Sequence, residues 1–406
     1  MSTATPTLNG SGHAATIPGS DADFYALELL LTDEERAVVN RVRAFMETQV
    51  VPVINDHWMR ASFPHDLLPA FAETGIFGLP YEGYGCLGGS KILNGLVERT
   101  ISEYDPSMGT FFGVQSGLAM GSIYLLGSDA QKERWLPAMQ RLDKIGSFGL
   151  TEPEVGSAIS REMGTTARRD GDTWVLNGQK KWIGNGTFAD VNIVWARDEA
   201  DNQIKGFLVE GDAPGFSAEK MENKMALRVV QNAVLTMDDC RIPADAKLEG
   251  ANSFRDTARV LKMTRVGVAW QAVGCAAGAY KLALDYAKQR HQFGRPIAGF
   301  QLVQDLLVRM LGNVTAAGCL AMRLTELQEA GLMSNEQASL AKAFCTVKCR
   351  ETVGWARELL GGNGILLEHH VGRFVADCEA IYSYEGTREI NSLIVGRAIT
   401  GESAFV

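Results

Sequence analysis

The chain has 406 residues, of which 46% are hydrophobic and 21% are charged, and its formal net charge is −9. This composition is typical of a soluble globular protein, and the length allows two or three domains of roughly 150 residues each. The acidic balance argues against nucleic-acid binding, which usually leaves a basic footprint. The sequence contains no run of about 18 apolar residues, so we expect no membrane span.

Residues 1–25 are predicted to form a flexible leader, because this stretch is rich in Ser, Thr, Ala, Gly and Pro. It lacks the basic and apolar regions of a secretory signal, and the C-terminus carries no peroxisomal tripeptide. The seven cysteines are scattered without a C-x-x-C pair, which favours reduced, mostly buried thiols and a cytoplasmic location. Cys345 and Cys349 have no histidine nearby to complete a metal site, so no metal is expected.

Residues 26–146 are predicted to form a helical domain. Thr32 and Glu35 have the spacing of a capping box that opens a helix, and Pro52 is expected to end it. Helical periodicity returns in four further stretches, at residues 67–72, 93–103, 118–126 and 130–139. The stretch Gly83 to Gly88 matches the G-x-G-x-x-G pattern of dinucleotide-binding folds, but its flanks look helical, so we interpret it as a loop.

Residues 147–252 are predicted to form a small β-domain, because the hydrophobic period changes after Ser147. Asn177-Gly178 between two short apolar runs predicts a hairpin with a type I′ turn. Residues 253–406 are again helical, with long patterns at 256–290, 300–330, 335–360 and 389–401. Long helices with short links predict a C-terminal four-helix bundle, so the fold class is α+β in the order helical, β, helical.

Two loops have the composition of ligand-binding segments. Residues 151–157 combine two hydroxyls with a glycine between a helix and the β-domain, which suits contact with a phosphate. Residues 361–364 are glycine-dense and directly follow a helix, so they serve either as a helix cap or as a place where a cofactor touches backbone. Serine hydrolase chemistry has no support, because no G-x-S-x-G motif occurs.

Glu385 lies between Tyr384 and Gly386 in a segment that is otherwise poor in charge. Apolar neighbours remove water from a carboxylate and raise its pKa, which makes it usable as a general base near neutral pH. A glycine next to it lets the backbone approach a ligand and present an N–H group. The alternative interpretation is that Glu385 is a surface residue at the start of a helix, where acidic residues are favoured.

Five segments at matching spacing resemble the acyl-CoA dehydrogenase family of flavoproteins, from about Leu31 to Phe405. They are Leu150-Thr151-Glu152-Pro153 with Gly156-Ser157, Lys181-Trp182-Ile183, Arg290-His291-Gln292-Phe293-Gly294, Gly361-Gly362-Asn363-Gly364-Ile365 and Tyr384-Glu385-Gly386-Thr387. The resemblance implies the family fold, with a β-barrel-like middle domain, and FAD bound between the β-domain and the C-terminal bundle. It also implies a homotetramer built as a dimer of dimers, with cofactor sites shared between subunits.

By motif, one set of residues would contact the flavin and its phosphates: Phe148, Leu150, Thr151, Ser157, Trp182, Ile183 and Gly184. A second set would hold the diphosphate and adenosine: Arg290, Phe293 and Gln301, with Glu358, Leu359, Gly361 and Gly362 from a neighbouring subunit. Thr387, Glu389 and Phe405 complete the expected cofactor contacts. Ser157, Arg265, Tyr384 and Gly386 would contact the acyl-CoA substrate.

The resemblance implies that Glu385 takes the α-proton of an acyl-CoA while the β-hydrogen leaves as hydride to flavin N5, which forms a trans-2-enoyl-CoA. Some relatives place the base just before the arginine near CoA, a position that is Thr264 here. A threonine cannot serve as this base, so Glu385 carries the assignment. The expected electron acceptor is an electron-transfer flavoprotein, and the expected substrate is a short acyl-CoA in fatty acid β-oxidation.

Two branches of the family compete. Segments near the C-terminus and Gly83-Tyr84-Gly85-Cys86 resemble glutaryl-CoA dehydrogenases, but the arginine that holds their substrate's distal carboxylate corresponds to Gly109, which disfavours glutaryl-CoA. Residues 177–185, 227–232 and 252–254 resemble plant-type short-chain acyl-CoA oxidases, and Gly184 replaces the threonine whose hydroxyl reaches flavin N5 in most dehydrogenases. A short-chain oxidase using O2 and a non-catalytic acyl-CoA-binding protein therefore stay as alternatives.

Overall fold

The computed structural model describes residues 22–404, which form a helical region, a β-region and a second helical region. The first region contains the helices α1 Asp33–Phe45, α2 Val51–Arg60, α3 Leu68–Glu73, α4 Lys91–Tyr104, α5 Pro106–Phe112, α6 Met120–Leu126 and α7 Asp129–Gln140. The second contains β1 Gly146–Gly149, a short helix α8 Ile159–Glu162, β2 Thr166–Asp170, β3 Thr173–Ile183, β4 Val191–Asp198, β5 Ile204–Glu210, β6 Phe216–Lys220 and β7 Ala233–Pro243. The third contains α9 Phe254–Gln289, β8 His291–Gln292, β9 Arg295–Pro296, α10 Gln301–Glu329, α11 Asn335–Leu359, α12 Val371–Ser383 and α13 Arg388–Thr400. The predicted fold class is confirmed, whereas the domain boundaries stay a prediction.

In the first region, the predicted capping box is present: the Thr32 hydroxyl accepts from the Glu35 amide, and the Glu35 carboxylate accepts from the Thr32 amide. The prediction that Pro52 ends this helix is wrong. A wider turn at Met46–Val50 joins α1 to α2, and Pro52 lies in the first turn of α2, where a missing amide hydrogen is tolerated. The expectation for Gly83–Gly88 is confirmed, because these residues form a loop outside any strand–helix unit.

The predicted leader lies mostly outside the described residues, but its last part does not behave as a flexible segment. Ala22 and Asp23 are buried, and the Asp23 carboxylate accepts from the amides of Leu27 and Glu28. These bonds cap a short turn of helix at Leu27–Leu30, just before α1. Residues 22 and 23 therefore pack against the helices, and the extent of the leader stays a prediction.

The strands β1–β7 form one sheet in the order β1-β4-β2-β3-β7-β6, and β5 pairs with β4 as an antiparallel neighbour. The hairpin predicted at Asn177-Gly178 is wrong. These residues lie inside the continuous strand β3, where the register with β7 shifts at a bulge. The turn that reverses the chain lies earlier, between β2 and β3, and Gly171 there has φ +59°.

The long helices α9, α10 and α11 alternate in direction, as expected for an antiparallel bundle. Gln328 near the end of α10 donates to the carbonyl of Met263 near the start of α9, and Asn313 on α10 donates to Glu351 on α11. The helix α12 was not predicted, and it packs against both α9 and α11. Among the described helices, only α10 is long and apolar enough to cross a membrane, a test that core helices of soluble bundles also pass.

The three regions meet at an interdomain cluster formed by Trp58, Asp105, Leu227, Arg373 and Asp377. Asp377 accepts from the indole of Trp58 at 3.0 Å and from the amide of Leu227 at 2.6 Å. Arg373 forms an ion pair with Asp105, and both side chains are fully buried. One polar cluster thus ties the N-terminal helices, the sheet region and α12 together.

Candidate functional site

Glu385 occupies the turn between α12 and α13, and we call the region between this turn and Thr264, Arg265 and Gln271 of α9 the cleft. Its backbone is left-handed with φ +55°, and Gly386 follows with φ +88°. A left-handed conformation of a residue other than glycine costs roughly 1–2 kcal/mol and is concentrated at functional sites. Thr387 then caps α13, because its hydroxyl accepts from the amide of Ile390. The turn therefore orients the Glu385 side chain at the cost of backbone strain.

Two side chains hold this turn in place. Lys342 on α11 donates to the carbonyl oxygens of Tyr382 and Gly386, both at 2.7 Å. Asn391 on α13 donates to the carbonyl oxygens of Gly386 and Thr387 at 2.9 and 3.0 Å. Both residues are buried, and burial lowers the pKa of Lys342 to about 8, although the nearby Glu385 carboxylate favours its charged form. The backbone on both sides of Glu385 is thus fixed by α11 and α13.

The Glu385 residue is half-buried in the cleft, and removal of its carboxyl group from water raises the pKa to about 7. Arg265, Thr264 and Lys342 oppose this rise because each favours the ionised form. The Thr264 hydroxyl lies 2.9 and 3.0 Å from the two carboxylate oxygens, and Arg265 Nε donates to the Glu385 carbonyl at 3.4 Å. A carboxylate with this pKa can accept a proton from a weak carbon acid at neutral pH.

Polar side chains also line the cleft around Gln271 on α9. The Tyr384 hydroxyl donates to the side-chain oxygen of Gln271 on α9, and the Gln271 amide donates to the carbonyl of Gly109 at 3.3 Å. Gly113 also lies against the Gln271 amide, since a Cβ atom at Gly113 would come within 2.6 Å of it. A Cβ atom at Gly109 would collide with the hydroxyl of Ser102. Gly113 therefore leaves room for a side chain of α9, and Gly109 leaves room for a side chain of α4.

The predicted flavin-contacting residues of the middle region lie together around the end of β3. Phe148 and Leu150 are buried at β1, Ile183 and Gly184 are buried, and Thr151 is half-buried. Trp182 is 57% exposed with φ +68°, and Ser157 is exposed in the loop after Thr151. A Cβ atom at Gly184 would lie 3.1 Å from Val114, so this glycine permits a close contact with the N-terminal region.

A buried ion pair shapes the loop that carries Thr151 and Ser157. Glu152 accepts from Lys180 at 2.8 Å and from the amide and hydroxyl of Thr165, and its second oxygen accepts from the amide of Gly164. Lys180 also donates to the carbonyl of Leu150, and the Thr151 carbonyl accepts from the Lys181 amide. These bonds fix the loop 150–157 against β3.

The remaining predicted cofactor residues lie far from Glu385 in the same chain. Arg290, Phe293 and Gln301 surround the small β8–β9 hairpin beyond the end of α9, and all three are exposed, Phe293 to 93%. The 25 residues from Arg265 to Arg290 span about 37 Å of helix. Glu358, Leu359, Gly361 and Gly362 lie at the same far end, where the neighbouring Asn363 donates to Tyr286 at 2.9 Å. One chain therefore does not bring these two groups to the Glu385 cleft.

Of the other predicted residues, Arg265, Tyr384, Gly386 and Thr387 lie next to Glu385, and Glu389 is exposed in the first turn of α13. Phe405 lies outside the described residues. Three buried residues near the cleft were not predicted from the sequence: Lys342, Gln271 and Glu98, a carboxyl group on α4. Lysine, glutamine and glutamate within long helical patterns have no local signal of burial, so only a folded structure reveals them.

Comparison with known proteins agrees with this geometry. Three family sequence models cover most of the chain: "Acyl-CoA dehydrogenase, N-terminal domain" at residues 32–143, "middle domain" at 147–240 and "C-terminal domain" at 254–400. A curated acyl-CoA dehydrogenase of Bacillus subtilis is 32% identical over 377 residues, covering 91% of this chain and 99% of that protein. The short-chain specific mitochondrial acyl-CoA dehydrogenase of Rattus norvegicus is 33% identical over 359 residues, covering 87% of each chain.

Among solved structures, glutaryl-CoA dehydrogenase from Mycobacterium smegmatis is similar over 95% of this chain and 99% of its own. The TM-score is 0.91 and the sequence identity is 39%. A glutaryl-CoA dehydrogenase from the same organism in complex with FADH2 has the same TM-score and coverage at 36% identity.

Proposed function

The chain belongs to the acyl-CoA dehydrogenase family, and we propose that it oxidises a short-chain acyl-CoA to the trans-2-enoyl-CoA, with Glu385 as the base. Acyl-CoA dehydrogenase activity and the cofactor FAD follow from the family. The role of Glu385 as the base is supported by two properties of its carboxylate. It lies in a strained turn, and burial raises its pKa to about 7.

The proposed reaction uses groups of this chain together with the bound FAD. The α-proton of an acyl thioester is weakly acidic, so the carbonyl oxygen must be stabilised as the Cα–H bond breaks. The Glu385 backbone N–H is the proposed protein donor to that oxygen, and the Glu385 carboxylate accepts the proton. When bound, FAD takes up the β-hydrogen with its electron pair. Arg265, beside Glu385 and charged, is proposed to lie near the CoA moiety.

The residues of the middle region suit a large planar cofactor. Trp182 presents an exposed aromatic face at the end of β3, next to the ordered loop that carries Thr151 and Ser157. Hydroxyl and amide donors in such a loop suit the flavin edge and phosphates, and an aromatic face suits the ring system. Phe148, Leu150 and Ile183 are buried next to this proposed flavin-binding surface.

Glutaryl-CoA is a poorer fit than an unsubstituted short chain, although the two solved structures compared above are glutaryl-CoA dehydrogenases. Gly109 provides no cation for a distal carboxylate, and the contact with Ser102 leaves no space for a longer side chain there. A charge buried without a partner is strongly unfavourable. The short-chain specific relative from Rattus norvegicus supports the choice of a short acyl group.

The electron acceptor is proposed to be an electron-transfer flavoprotein, as is typical of the family. Gly184 leaves open a reaction with O2, because it provides no hydroxyl toward the flavin. The close contact with Val114 means that a threonine at this position requires Val114 to move. The groups around Arg290 and Gly361 lie about 37 Å from the cleft along α9 and need a second subunit to act in it, which supports at least a dimer. The homotetramer is proposed from the family resemblance.

The Thr264→Val variant is expected to raise the pKa of Glu385 further, since it removes the hydroxyl that stabilises the carboxylate. Activity requires the ionised base, so it rises with pH through about 7 in the parent protein. In Thr264→Val this midpoint should move to higher pH by roughly one unit. The measurement is the pH dependence of kcat/KM with a saturated short acyl-CoA. Thr264→Ser retains the hydroxyl and should keep the original midpoint, and an equal shift in both variants would contradict the role of this bond.

The proposed function is tested by mixing the FAD-loaded protein with butyryl-CoA without oxygen and following the absorbance of oxidised flavin. Rapid bleaching is expected, together with crotonyl-CoA as product. Subsequent mixing with air or with an electron-transfer flavoprotein then distinguishes oxidase from dehydrogenase. Bleaching by glutaryl-CoA but not butyryl-CoA would reject the substrate assignment. A protein that binds acyl-CoA without bleaching by any chain length would be a non-catalytic binding protein.

A further inference from the structure

Glu98 on α4 is a buried carboxyl group that the proposed chemistry does not use. The residue is 4% exposed, and its Oε2 atom has no hydrogen-bond partner within residues 22–404. A buried polar atom without a partner is rare in folded proteins and requires an explanation such as a bound ligand.

The position of Glu98 links it to the cleft. Its carboxyl group lies directly over Gly267 on α9, so closely that a Cβ atom at Gly267 would collide with both oxygens. Gly267 stands between Thr264, which binds Glu385, and Gln271, which binds Tyr384. The Glu98 carboxyl also faces Gly113, since a Cβ atom at Gly113 would lie 3.9 Å from Glu98 Oε1. Glu98 therefore forms part of a wall beside the α9 segment that contacts both Glu385 and Tyr384.

The cations near this wall already have partners. Arg265 donates to Asn335 and to the Glu385 carbonyl, and Lys342 donates to two carbonyl groups of the Glu385 turn. Arg99, the next residue along α4, pairs with Asp23, Glu28 and Glu103 instead. Burial, reinforced by repulsion from Glu385, raises the pKa of Glu98 to about 8. At neutral pH the group is thus mostly a neutral carboxylic acid with a hydrogen to donate.

We propose that Glu98 is a specificity-determining residue that donates a hydrogen bond to an uncharged oxygen on the acyl chain. This inference rests on the proposed function, and it names the substrate class as a short acyl-CoA that carries an ether, hydroxyl or carbonyl oxygen beyond the β-carbon. Two features favour a substrate oxygen here: Glu98 Oε2 has no hydrogen-bond partner among the described residues, and Gly267 leaves room next to the carboxyl group. A site built to hydrogen-bond an oxygen discriminates against the analogue that lacks it, because the buried group then stays unpaired.

A terminal carboxylate on the substrate is disfavoured by the same arrangement. It would place a second negative charge beside Glu98 and Glu385, where Arg99, Arg265 and Lys342 are already engaged elsewhere. Glu98 is already mostly protonated, so the cost arises from burying the substrate's carboxylate near Glu385 without a free cation to pair it. Glutaryl-CoA should therefore be a poorer substrate than an uncharged chain of similar length.

The test compares substrate pairs that differ by one CH2-to-O replacement: hexanoyl-CoA with 4-methoxybutyryl-CoA, and heptanoyl-CoA with 5-methoxypentanoyl-CoA. In the parent holoenzyme we expect at least one ether to have a kcat/KM about 10-fold above its alkyl partner, in line with one buried hydrogen bond. Glu98→Met has a similar shape without a donor and should lose or invert this ratio. Glu98→Gln retains a donor and should keep it.

A second measurement separates this role from a structural one. Thermal unfolding at fixed FAD should show Glu98→Met unfolding at the same temperature as the parent or higher, because the variant removes an unpartnered buried polar group. Equal ether-to-alkyl ratios in the parent and Glu98→Met would overturn the inference, as would a preference for glutaryl-CoA in the parent. Absence of flavin bleaching with every acyl-CoA would instead reject the proposed function.

Discussion

Glu385→Gln is expected to lower the rate of flavin reduction by a short acyl-CoA by about 10²–10⁴-fold, the range typical for loss of a general base. The amide cannot accept the α-proton, yet it is isosteric and can still accept the Thr264 hydroxyl bond. Lys342 and Asn391 hold the turn through backbone carbonyls, so they should keep its shape in the variant. FAD content and the binding of an enoyl-CoA product should therefore be unchanged.

The matched control is Glu379→Gln. Glu379 precedes the turn on α12 and its carboxylate pairs with Arg350 at the surface, away from the cleft. Stopped-flow bleaching under anaerobic conditions should be at parent speed in this control. If Glu385→Gln bleaches as fast as Glu379→Gln, another group removes the proton and the assignment of the base is wrong.

Local residues single out Glu385 in the sequence, but they also fit a surface residue at a helix start, so its predicted role as the base depends on the family resemblance. A carboxylate between Tyr384 and Gly386 carries its chemistry in adjacent residues, and the left-handed backbone at Gly386 explains why glycine stands there. The groups that tune Glu385 come from distant segments: Thr264 from α9 and Lys342 from α11. Their side chains meet Glu385 only after the bundle has formed, so the sequence does not predict these contacts, although the family resemblance singles out the position of Thr264.

The helices and strands also differ in how well the local sequence predicts them. Helical periodicity located α9, α10 and α11 because apolar residues dominate the buried faces of these helices. The helix α12 escaped notice because two of its buried positions, Arg373 and Asp377, are charged and interrupt the apolar pattern. Asn177-Gly178 has the composition of a tight turn, but pairing with β7 keeps it within a strand and absorbs the irregularity as a bulge.

The charged positions in α12 predict a large effect on stability. Arg373 pairs with Asp105, donates to the Asn55 side chain at 2.7 Å, and is fully buried. Arg373→Met would leave the Asp105 carboxylate buried without its cation next to Asp377, another carboxyl group. Breaking a buried pair by removing one partner costs about 3–5 kcal/mol. We therefore expect a much lower midpoint of urea unfolding at fixed FAD concentration.

Two further variants separate loss of the pair from loss of packing. Arg241→Met removes a surface pair with Asp170, in which both side chains are about half exposed, and should change stability by at most about 1 kcal/mol. Asp105→Asn combined with Arg373→Met removes both buried charges, keeps a side-chain oxygen that can accept from the Met108 amide at the start of α5, and should recover most of the stability lost in Arg373→Met alone. Recovery would show that the penalty arises from the unpaired charge, because the double variant retains none of the original hydrogen bonds of Arg373. If Arg373→Met instead unfolds at the midpoint of Arg241→Met, the buried Arg373–Asp105 pair contributes no more than an exposed ion pair.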